Sequence, residues 1–81
     1  MNGRKETIMS KTINCTDPRY SVDFIANGGN ENDIIAIACI NDGQNYGGSS
    51  YWFTIGSYSS IKNAIRFANK KLAKHGLALA I

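Results

Sequence analysis

Hydrophobic and polar positions alternate through "YSVDFIA", Tyr20 to Ala26. Tyr20, Val22 and Phe24 fall on one side of an extended chain, Ser21 and Asp23 on the other. A period of two predicts a strand with one buried face. "NGGNEN" breaks the pattern with residues that accept positive φ at little cost. "DIIAIACI", Asp33 to Ile40, is apolar on both sides and rich in β-branched residues, the texture of a central strand. Asp42-Gly43 supplies the dipeptide of a tight type I′ hairpin turn. "NYGGSS" reads as a bulged extension or a loop. The third strand centres on "YWFTI", Tyr51 to Ile55. Strict alternation there puts Tyr51, Phe53 and Ile55 on one face and Trp52 and Thr54 on the other.

The period then changes. Ile61, Ala64, Ile65, Ala68 and Leu72 recur at helical spacing and form one apolar stripe. Ser59 or Ser60 can cap the first turn. Gly76 suits the position just past the last turn, where Lys74 and His75 favour the helix dipole. "LALAI" alternates again and predicts a short final strand. The first eighteen residues are polar, with a turn at Asp17-Pro18, and are expected to be flexible or loosely packed. Within them "KTINC" could add a short strand. The expected fold is α+β in one domain, residues 1–81. It is a three-stranded antiparallel meander with one helix on one face and a short C-terminal fourth strand, β-β-β-α-β. A crossover helix would deliver that last strand parallel to, and beside, the first.

Charge changes this picture by its placement. The chain has nine Lys and Arg against six Asp and Glu, a net charge of +3. All six acids lie in residues 1–42, while residues 43–81 hold five bases and no acid. No Lys or Arg lies between Arg19 and Lys62. Lys62, Arg66, Lys70 and Lys74 step by four along the expected helix, away from its apolar stripe. Like charges at that spacing repel by tenths of a kcal/mol each. A solvated helix face is the commonest reading of such a stripe, and a phosphate backbone or an acidic protein would relieve its repulsion.

Candidate chemistry is sparse. Cys15 and Cys39 form no Cys-x-x-Cys and read as packing residues with free thiols. His75 is the single histidine and has no Cys or His near it in sequence, so a cap or surface role is preferred over metal ligation. The carboxylates are scattered, no strained nucleophile elbow is visible, and the Gly-rich stretches lack a phosphate-loop context. No enzyme activity, metal or cofactor is expected. No apolar leader opens the chain and no run reaches membrane-spanning length, so the expected location is cytoplasmic.

Aromatics are concentrated instead. Tyr46, Tyr51, Trp52, Phe53 and Tyr58 fall within thirteen residues. One helix cannot cover both faces of a sheet, so either Trp52 or the Tyr51–Phe53 pair is expected on the open side. There it would form a second small core, a contact patch or a homodimer face.

Gly56-Ser57-Tyr58-Ser59-Ser60, with Ala64 and Arg66 after it, resembles the strand-to-helix junction of AP2-type and integrase-arm DNA-binding domains. Their sheets enter the major groove with Arg and Lys on the strands. Tyr20 to Ile55 carries no base here, so that function is not carried over. The helix-to-strand passage also resembles double-stranded-RNA-binding domains, whose leading helix and Lys cluster are absent. In size and texture the whole chain is similar to small phage-encoded inhibitors, anti-CRISPR proteins included. That resemblance implies a non-enzymatic protein that binds a host protein or ribonucleoprotein complex in the host cytoplasm. Expected partner contacts are Tyr46, Trp52 and Tyr58, with Asp42 and Asn45 as polar partners. The alternative is direct nucleic-acid binding through Lys62, Arg66, Lys70 and Lys74.

Overall fold

The computed structural model describes residues 10–41 and 50–81. Four strands, β1 (Ser10–Asn14), β2 (Tyr20–Ala26), β3 (Ile34–Ile40) and β4 (Ser50–Tyr58), precede one helix, α1 (Ile61–Ala73). The sheet is antiparallel throughout, in the order β1-β2-β3-β4. The α+β class and the three expected strands, β2, β3 and β4, match the expectation, but the strand order does not. The place beside β2 is held by β1, the short strand at "KTINC". The C-terminal segment adds no strand there. It makes an isolated antiparallel bridge, Cys15 to Leu79, against the end of β1. The bond from Thr16 N–H to the Ala78 carbonyl, 2.8 Å, and that from Ala80 N–H to Asn14, 2.9 Å, fix it.

Local chemistry sets the connections. Asp17 turns the chain between β1 and β2, and its carboxylate accepts from the Arg19 backbone N–H at 3.1 Å and from the guanidinium at 2.8 Å. Those bonds hold its pKa below the usual carboxylate range. Gly28 and Gly29 take φ of 62° and 80° in the turn after β2, the positive-φ role expected of "NGGNEN". The Asp42-Gly43 turn lies outside the described residues.

The helix is built as its sequence predicts. The Ser60 hydroxyl accepts from Asn63 N–H at 3.1 Å, satisfying an orphan first-turn donor. At the other end Gly76 has φ +74°. Leu77 N–H donates to Leu72 and Gly76 N–H to Ala73, at 2.9 and 3.1 Å, the paired bonds of a Schellman closure. Ala64, Ala68 and Leu72 are buried, with Ile61 and Ile65 half-buried beside them. They meet Ala36 and Ala38 of β3 and Val22 and Phe24 of β2. Alanines on both layers let the helix lie close to the sheet. Phe24, Ile34, Leu72 and Val22 are the largest fully buried side chains. Each contributes about 1.5–3 kcal/mol relative to exposure.

Strand β4 departs from simple alternation. Its register against β3 shifts twice, between Ala36 and Ile37 and between Ala38 and Cys39. Ile55 and Trp52 are the residues skipped, each an extra residue in a bulge. A bulge lets two successive side chains share a face. Trp52 and Phe53 therefore both pack on the helix side, and so does Ile55. Tyr51 and Thr54 stay on the open side, their hydroxyls 3.1 Å apart. The expected split, with Trp52 opposite Phe53, is corrected by these two bulges.

Candidate nucleic-acid interface

β4 is an edge strand, and α1 runs back over it. Tyr58, the last residue of β4, lies close over Gly56, where a methyl group would come 2.7 Å from the Tyr58 hydroxyl. Glycine at that position thus permits the close approach of the ring to the strand. The ring of Tyr58 stacks on Phe67 of α1, with centroids 5.2 Å apart and planes 10° from parallel. Phe67 remains 36% exposed. At about 100° per residue, it projects between Lys74 and Lys71, about 60° from Ala64 on the flank of the apolar stripe.

Cations surround this pair. The Arg66 guanidinium lies 5.5 Å and the Lys70 ammonium 5.9 Å from the Phe67 ring centre, within cation–π range. Tyr58, Phe67, Lys70, Lys71 and Lys74 line an open groove of about 320 Å³. Lys62, Arg66, Lys70, Lys71 and Lys74 are all exposed. Among the described residues none of these five is in an ion pair, while Arg19 and Asp17 form one at 2.8 Å.

The four cations expected as a nucleic-acid surface therefore share one helix face. Phe67 and Lys71 were missing from that expectation. The available signal was "RFANKK", an aromatic residue embedded in bases on the flank of the apolar stripe. Its stacking partner comes from β4 and could not be read from the helix alone.

Of the residues expected to contact a protein partner, Trp52 and Tyr58 are described. Asp42, Asn45 and Tyr46 lie outside the described residues. Trp52 is half-buried, 5.2 Å from Tyr20, 4.8 Å from Phe53 and 5.2 Å from His75 between ring centres. Tyr58 belongs to the Phe67 stack instead. What the open sheet face presents is Ile25, Ile35 and Ile37, half-buried, with Tyr51 65% exposed. Asp23 lies on the same face, bonded by the Thr12 hydroxyl at 2.7 Å.

Neither described cysteine is set up as a nucleophile. Cys39 is buried and its thiol lies 3.6 Å from the Asp23 carboxylate. Burial, then the Asp23 charge, pushes its pKa up to about 11, so the reactive thiolate is scarce near neutrality. Burial likewise raises the Cys15 thiol. Among the described residues no group of three or more His, Cys, Asp and Glu could hold a metal ion. No described helix is long and apolar enough to cross a membrane.

The fold and this groove define a small α+β domain with a basic, aromatic-floored helix face. No family model, curated protein or solved structure matches the chain.

Proposed function

We propose that this protein is a non-enzymatic nucleic-acid-binding module that uses the outer face of α1. The observation that carries this reading is the set of five exposed cations, Lys62, Arg66, Lys70, Lys71 and Lys74, unpaired with any acid among the described residues. From Lys62 to Lys74 they extend along about 18 Å of helix, at ~1.5 Å per residue. A row of phosphates would relieve their mutual repulsion, and releasing counterions from the nucleic acid would drive binding. The test is fluorescence anisotropy with a labelled oligonucleotide across a salt series. Affinity should fall steeply with salt, with a slope of roughly −0.7 to −0.9 per neutralised phosphate. The double variant Lys70→Glu/Lys74→Glu should abolish binding with an unchanged circular dichroism spectrum. Negligible binding by the wild type at low salt would remove the reading.

A second reading rests on the open sheet face. Ile25, Ile35, Ile37 and Tyr51 there form a partly exposed apolar surface, suited to a protein partner. The likeness to small phage-encoded inhibitors gives that partner its class, a host protein or ribonucleoprotein complex. A partner retained by wild type and by Lys70→Glu/Lys74→Glu, but lost by Tyr51→Asp, supports this reading. Equal retention by all three counts against it. A homodimer through the same face would register in light scattering and disappear in Tyr51→Asp.

A further inference from the structure

The cations alone do not distinguish duplex from single strand, but the groove between them does. Its floor is the Tyr58–Phe67 stack, and its rim is Lys70, Lys71 and Lys74. We infer that the groove accepts an unpaired base stacked against Phe67, so that the domain prefers single-stranded nucleic acid over duplex. This rests on the nucleic-acid reading above and adds the form of strand bound.

Three observations converge on it. Phe67 stands among the cations of α1, 36% exposed, with one side of its ring covered by Tyr58. Tyr58 backs it at 10° from parallel, and Gly56 lets Tyr58 lie close over the strand. A backed, partly exposed ring flanked by cations is the platform on which single-stranded bases stack, irrespective of sequence. Arg66 and Lys70 already lie within cation–π range of the Phe67 ring. A base arriving there would take over the ring contact and release both cations toward the flanking phosphates. A duplex offers its phosphates to the same lysines, but its bases are stacked on one another and cannot reach the floor. The strands that would otherwise enter a groove of a duplex carry no Lys or Arg from Tyr20 to Ile55.

The experiment is a set of anisotropy titrations at one low salt concentration. The ligands are a thymidine 15-mer, a mixed-sequence 15-mer duplex and an abasic 15-mer, a backbone with its charge but without bases. Wild type should bind the thymidine strand at least about tenfold more tightly than the abasic strand. Phe67→Ala should remove that difference, and Phe67→Trp should keep it. Phe67 is partly exposed, so Phe67→Ala should fold, and Trp52 emission with circular dichroism checks that it does. Binding of no nucleic acid overturns the functional reading itself. Duplex and abasic strand bound as tightly as thymidine, with Phe67→Ala unchanged, overturns the stacking inference and leaves the phosphate reading standing. Poly-glutamate competing as well as the thymidine strand, at matched charge, points to an acidic protein and overturns the inference too.

Discussion

At the scale of single residues the unusual contact is the one at Gly56. Glycine inside a strand usually weakens it, because it costs backbone entropy and contributes no packing. Here the space above Gly56 is filled by the ring of Tyr58, two residues on in the same strand. An alanine methyl would press on the Tyr58 hydroxyl at 2.7 Å. The ring would have to swing off Phe67, and φ of +159° at this position is a conformation that L side chains rarely adopt, so the change strains the strand as well as breaking the stack. Gly56→Ala is therefore expected to weaken single-strand affinity several-fold, towards the value for Phe67→Ala. Strain of about 1–3 kcal/mol should also lower the variant's melting temperature by several degrees or more, so affinity is compared well below the melting transition. Anisotropy and thermal melting on the same sample check both halves. An affinity unchanged from wild type would mean that Tyr58 plays no part in binding.

At the scale of elements, legibility follows how local each determinant is. The apolar stripe of α1, the Ser60 cap and the Gly76 closure depend on neighbours within a few residues. All three could be read directly from the sequence. The same holds for β2 and β3, whose patterns reflect one covered face and full pairing on both edges. β1 is different. "SKTIN" holds one half-buried residue, Ile13, and owes its place to backbone bonds with β2 rather than to a hydrophobic pattern. "LALAI" has the opposite character, alternating like a strand yet making only a single bridge. The two segments compete for the same sheet edge, and β1 pairs along five residues there. That difference in pairing produces the simple meander in place of a crossover. The bulges at Trp52 and Ile55 have no residue signature, because they arise from the mismatch between β4 and β3. A reading by alternation therefore misplaces Trp52 by a whole face. The groove was half legible for the same reason. Its cations lie on one helix, whereas its aromatic floor joins that helix to a strand.

At the scale of the molecule, the last few residues decide whether the sheet and helix form one cooperative unit. α1 covers β4 and β3 most fully and reaches β2 only weakly, so the β1 end of the sheet needs another cover. The segment after Gly76 supplies it. Leu79 is 4% exposed and packs in the same core as Cys15 and Val22. Its N–H donates to the Asn69 side chain of α1 at 2.8 Å, while its neighbours bond to Thr16 and Asn14. This tail therefore ties the helix to the strand farthest from it. A domain this small has a narrow stability margin, of order 5–15 kcal/mol at most. Leu79→Ala should cost about 2–4 kcal/mol through lost burial and the cavity left behind. At roughly 4–8 °C per kcal/mol for a chain of this size, that lowers the melting temperature by about 8 °C or more. Ile81→Ala, two residues on and 75% exposed, should leave it within a degree or two. Trp52, packed against Tyr20 of β2 and His75 beyond α1, reports the transition by its emission. Equal melting of the two variants would mean that the tail lies outside the cooperative unit. In that case the β1 end of the sheet would be held by strand pairing alone.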